Sequence, residues 1–180
     1  MGLGLIIGAV WGFAEATLFF IVPDVAMTYL AILGREAAWA GCVAAIVGAL
    51  VGGALMYRWG AHAPERAQRT LLRVPAIHDG ELSRVQEGIE RSSFAAVFLG
   101  PLTGTPYKIY AVEVGRRGLS LPLFLLLSVP ARGIRFVAAT LLSLWLADGP
   151  LASWGPTALV ALVTGFWIVF YLAYFRLKRG

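Results

Sequence analysis

Apolar residues fill this chain in long runs, and short polar clusters cut the runs into segments. The first apolar run is helical in composition and stops at Ile21-Val22-Pro23-Asp24. Val25–Leu33 is apolar again, but too short to cross a bilayer at about 1.5 Å per residue. A long arm, a break at Pro23 and a short return arm predict a re-entrant hairpin over residues 1–34. Gly34-Arg35-Glu36 makes a polar turn. Residues 37–57 read as a full span, with Gly48 and Gly52 four apart so that a second helix can pack closely. Residues 58–92 are the hydrophilic part, six arginines interspersed with five acidic residues. They predict a cytoplasmic loop, and Leu82, Val85 and Ile89 recur at helical spacing within it. That spacing predicts an amphipathic helix over Glu81–Arg91 lying on the membrane surface. Residues 93–115 carry a second cluster of helix breakers, Pro101, Gly104 and Pro106, which predicts a second re-entrant hairpin. Residues 119–147, with Pro130 able to bend the helix, and residues 156–175 supply two further spans.

Composition strengthens this picture. The chain has 180 residues, of which 59% are hydrophobic and only 14% charged, against about a quarter charged in soluble domains. Mean hydropathy is +0.76. The expected fold is a single all-α domain over residues 1–180, a polytopic integral membrane protein with two opposed re-entrant hairpins packed among transmembrane helices. Residues 1–22 lack a basic start and a small-residue cleavage site, so a cleaved signal is not expected. The net charge of +5 does not require nucleic acid as a partner, because cytoplasmic flanks of membrane proteins collect Lys and Arg. The middle stretch, Arg116-Arg117 and Arg176–Arg179 then all lie on the cytoplasmic side, with the C-terminus. If so, residues 93–115 enter and leave on one face. The preponderance of arginine over lysine points to a GC-rich, prokaryotic genome. Cys42, the single cysteine, reads as a packing residue.

Six ionisable residues interrupt the apolar segments: Glu15, Asp24, Lys108, Glu113, Arg132 and Arg135. Each costs about 2.5–3.5 kcal/mol at a helix centre, and three acids against three bases suggest mutual neutralisation in one polar interior. Arg132 and Arg135 are three apart and share a helix face. Asp24 is placed to cap the return arm, and Glu113 is close enough to Arg116-Arg117 to lie at the surface. Forked guanidiniums suit phosphate oxygens and Lys108 adds a point charge, while a desolvated carboxylate such as Glu15 suits proton exchange. His62 and His78 have no companions at metal-ligand spacing, and no phosphate-binding glycine loop or Ser/His/Asp grouping occurs. Neither metal, cofactor nor enzymatic chemistry is therefore expected. These residues point to a transporter of phosphate-bearing lipid, of flippase or scramblase type, with protons as a partner. A proton-coupled carrier of a small solute or ion would use the same charges. A third reading is a non-transporting membrane assembly factor in which the charges are only structural; self-association as a homo-oligomer is open in all three.

Four stretches, Phe13–Ile32, Gly48–Gly60, "GTPYKIYAVEVG" (Gly104–Gly115) and "SVPARGIRF" (Ser128–Phe136), occur in an order that resembles the DedA, or VTT (SNARE-associated), membrane proteins, and most of all their short YqaA-like branch. The resemblance covers nearly the whole chain. It implies two opposed re-entrant hairpins, residence in the cell (cytoplasmic) membrane, and transport of polyprenyl phosphate or phospholipid. The functional acids of the family's first hairpin carry over to Glu15 and Asp24. The second hairpin departs from the family pattern: Lys108 stands near where an arginine is usual, and Arg132 and Arg135 are placed to supply the missing charge.

Overall fold

The computed structural model describes residues 2–75 and 77–179, with side chains to Arg176. The chain is 82% helical, without strands among the described residues. Its helices are α1 (Gly2–Ala16), α2 (Asp24–Ile32), α3 (Arg35–His62), α4 (Pro64–Leu71), α5 (Asp79–Arg91), α6 (Ser93–Leu99), α7 (Tyr107–Arg116), α8 (Leu121–Asp148) and α9 (Pro156–Arg179), with a 3-10 turn at Gly100–Thr103. Three are long and apolar enough to cross a membrane: α3, α8 and α9 over Pro156–Arg176. At about 1.5 Å per residue, α1 measures about 22 Å and α2 about 13 Å, both short of a hydrocarbon core of about 30 Å. Pro130 lies inside α8, which continues through it.

A stripe of small residues decides how α1 meets α3. Gly4, Gly8 and Gly12 of α1 stack on the backbone of Ala37, Gly41 and Ala45, and Gly48 and Gly52 of α3 return the contact against Ala9 and Phe13. Farther along, Gly60 meets the backbone of Val112 and Gly115 that of Tyr57, so α7 packs on α3 in the same manner. Helix α7 lies at the centre of the molecule, with every residue from Tyr107 to Gly115 buried.

The hydrophilic stretch is more ordered than a loop. It contains the last turns of α3, all of α4 and all of α5. The apolar face of α5 is occupied by protein: Val85 and Ile89 belong to the main core together with Ala67 and Leu71 of α4. The apolar stripe of α5 is therefore covered by protein. Helix α9, by contrast, is almost bare, with Phe166, Ile168, Val169 and Leu172 all exposed.

Candidate functional site

The break between α1 and α2 frees backbone groups, and three side chains from other elements meet them. Trp11 Nε1 of α1 donates to Ile21 O at 3.2 Å, and Lys108 Nζ of α7 donates to Phe19 O at 2.5 Å. The Val22 N–H donates to Tyr171 Oη of α9 at 3.0 Å. Side chains thus take the partners' role that water has at an exposed helix break. The second break is held more locally. Thr103 Oγ1 donates to Gly100 O at 2.8 Å, Gly104 takes a left-handed φ of 90°, and the Tyr110 ring fills the space beside Gly100.

Beside the first break lies a closed polar cluster. Arg132 of α8, only 1% exposed, donates to Glu15 in the last turn of α1. Its guanidinium carbon lies 4.9 Å from the centroid of the Tyr107 ring and 4.7 Å from that of Phe136, a cation–π arrangement strengthened by desolvation. Tyr107 Oη donates to Ser128 Oγ at 2.9 Å, and Ser128 donates to Phe124 O at 2.7 Å. Arg132 Nε has no hydrogen-bond partner among the described residues. Lys108 is buried within electrostatic reach of both Glu15 and Arg132.

One turn along α8, Arg135 Nη2 donates to Asp24 Oδ2 at 2.8 Å. Asp24 is the first residue of α2, and its carboxylate accepts from α8. This pair, unlike the Glu15–Arg132 pair, borders an open cavity of about 860 Å³ lined by α2, the 3-10 turn, α8 and α9. The other walls are mostly apolar, among them Leu142, Leu146, Leu162, Val163 and Phe166. The outer wall, α9, is tied to α2 by polar contacts: Tyr29 Oη shares a hydrogen bond with Thr164 Oγ1 at 2.8 Å, and Trp167 Nε1 donates to Thr28 Oγ1 at 3.0 Å. Pro101 and Gly104 of the second break also face this cavity, whereas Lys108 and Arg132 do not. The charges read from sequence as one interior thus divide into a sealed cluster and a pair at the cavity.

Glu113 joins neither. It is fully buried and not, as its arginine neighbours suggest, at the surface. Arg116 Nη2 and Arg117 Nε donate to its Oε1 at 2.5 and 2.7 Å, and Arg116 Nε donates to its Oε2 at 2.8 Å. Arg117 continues to Glu90 Oε1 and Gln86 O of α5, and Gln68 of α4 reaches Glu113 at 3.4 Å. This node clamps α4 and α5 onto the end of α7. Burial alone pushes the Glu113 carboxyl up, but the two guanidiniums outweigh it and hold the group below its ordinary range. A depressed carboxylate contributes stability that is present above its unfolded value and lost as pH falls through the folded one. Glu113→Gln is expected to cost about 2–3 kcal/mol, less than for a fully buried pair because both arginines regain water. Thermal denaturation at pH 7 and at pH 4 checks it: the variant's deficit shrinks at the lower pH, and an equal deficit at both counts against the ionic clamp.

Tyr107 and Ser128 escape sequence reading, since an isolated Tyr and Ser in apolar runs carry no spacing signal; only their contact through space reveals them. Cys42 is buried, and His62 and His78 are exposed. No group of three or more potential metal ligands occurs among the described residues. Comparison with protein-family models, with curated proteins and with solved structures found no match to this chain.

Proposed function

We propose that this chain is a multi-pass protein of the cell membrane that moves a phosphate-bearing lipid between leaflets, a flippase or scramblase. The observation that carries this is the shape and chemistry of the cavity. Asp24 and Arg135, the only ionisable residues of its lining among the described residues, lie at one end, beside both helix breaks. From Arg135 to Ala147 the lining on α8 runs about 18 Å, somewhat more than one leaflet of a hydrocarbon core of about 30 Å. An amphipathic molecule fits this arrangement, with its headgroup at the guanidinium and its chain along the apolar wall. A small polar solute would meet a mostly apolar wall.

In this reading, α1–α2 and α6–α7 are re-entrant hairpins that enter from opposite sides, and the basic flanks, with the C-terminus, face the cytoplasm. Proton coupling, where it accompanies exchange, is assigned to the buried Glu15, which Arg132 holds beside the first break. The resemblance to the DedA proteins favours the same function.

Reconstitution with a fluorescent phospholipid, scored by quenching from the outer leaflet, tests the reading. Arg135→Gln is expected to slow exchange by about 10- to 150-fold, the loss of one hydrogen bond to a charged group. Leu142→Trp, which fills the cavity, slows it at least as much, and Ile168→Trp on the exposed face of α9 leaves it unchanged. If Leu142→Trp and Arg135→Gln both exchange lipid at the parental rate, the cavity is not the path.

A further inference from the structure

A second, smaller cavity of about 340 Å³ lies where the N-terminal end of α3 meets the C-terminal end of α8, lined by Arg35, Trp39, Leu141, Leu144, Trp145, Asp148 and Gly149. We propose that it binds the headgroup of a zwitterionic phospholipid, one carrying a phosphate and an ammonium. Arg35 Nη2 and Asp148 Oδ2, both lining it, are 2.7 Å apart, with side chains 72% and 54% exposed. A bridge that exposed adds little stability. It does present a matched positive and negative charge at the mouth of a hollow large enough for a ligand. The bridge uses one of the five guanidinium N–H groups and one of the acceptor positions of the carboxylate. Arg35 keeps donors for phosphate oxygens, and Asp148 keeps acceptors for an ammonium.

The two tryptophans specify the cation. Trp39 and Trp145 both line the cavity, and both are partly or largely exposed. Indole faces are the best aromatic partners for an ammonium, and tryptophan is enriched where a membrane protein meets the headgroup layer. Leu141 and Leu144 add an apolar floor for the start of an acyl chain. An anionic lipid without an ammonium finds the phosphate donors but meets the Asp148 charge and leaves the indoles unused. The electrically neutral pair of side chains therefore selects an electrically neutral pair of lipid charges. The site rests on α3 and α8 being membrane spans, and it is separate from the transport cavity, with which it shares no lining residue.

Binding is tested in detergent, where there are no leaflets, so that failure of lipid transport in vesicles and failure of this site are read separately. Dihexanoyl phosphatidylethanolamine is titrated into the purified full chain by calorimetry, with dihexanoyl phosphatidylglycerol as the comparison. The ethanolamine lipid is expected to bind saturably and at least about 10-fold more tightly than the glycerol lipid. Arg35→Gln weakens both lipids by about 10-fold or more; Asp148→Asn and Trp145→Leu weaken only the ethanolamine lipid. The exposure of these side chains lets each variant keep its fold, as its melting midpoint would record. Equal affinity for the two lipids, or parental affinity in Asp148→Asn and Trp145→Leu, overturns the proposal.

Discussion

Arg132→Met is expected to cost about 3–5 kcal/mol of stability, the loss that follows when one partner of a buried ion pair is removed and the other stays charged in the interior. The stranded partner is Glu15, itself buried, with the Lys108 ammonium already directed to Phe19 O. Glu15→Gln alone is milder, because an amide oxygen can still accept from the guanidinium, and the rings of Tyr107 and Phe136 keep Arg132 in place. The informative variant is the double one. Replacing both charges, Glu15→Gln with Arg132→Met, removes the unpaired charge, and such neutral replacements are often tolerated or stabilising. Its melting midpoint is expected to return close to the parental value, while the proposed lipid exchange is expected to be lost. Structure and activity are thereby separated. A double variant that exchanges lipid at the parental rate would reduce the pair to a staple between α1 and α8.

The three long apolar helices were legible because hydropathy over about 20 residues is a strong, local signal. The two helix–break–helix units were legible too, since Pro23, Pro101, Gly104 and Pro106 act on their own backbone and leave helices too short to span. Pairing was not. Six charges within apolar segments admit several neutral arrangements, and nothing local states that Glu15 meets Arg132 across 117 positions or that Asp24 meets Arg135 across 111. Glu113 misleads for a related reason: arginines three and four residues on resemble a membrane flank, yet at helical spacing they wrap back over its carboxylate. The apolar stripe of α5 carries its period but not the identity of what covers it, and protein, not lipid, does so. The glycines of α1 stand in plain view at every fourth position. Their significance depends on finding a second small-residue stripe, the one in α3, on the facing helix.

That pair of stripes underlies the other large effect. Gly12→Leu, and equally Gly8→Leu, is expected to destabilise the protein by at least about 3 kcal/mol, the upper end of overpacking penalties. A β-carbon at either position would collide with backbone atoms of α3, Gly41 beside Gly8 and Ala45 beside Gly12, not with a side chain free to swing aside. The helices can relieve such a collision only by separating. For a chain of this size that loss corresponds to a fall of about 6–12 °C in melting midpoint. Gly165→Leu on α9, where a β-carbon would meet open space, is the matched control and should leave the midpoint nearly unchanged. The functional consequence exceeds the loss of fold, because Gly12 lies one turn before Glu15. Moving α1 outward draws the Glu15 carboxylate off Arg132 and pulls Phe19 O away from Lys108. Gly12→Ala, with a smaller intrusion, should therefore lower the proposed lipid exchange more than it lowers the folded fraction at the assay temperature. If Gly12→Leu melts with the parental protein, α1 does not lie against α3 through this stripe, and the placement of Glu15 that depends on it fails as well.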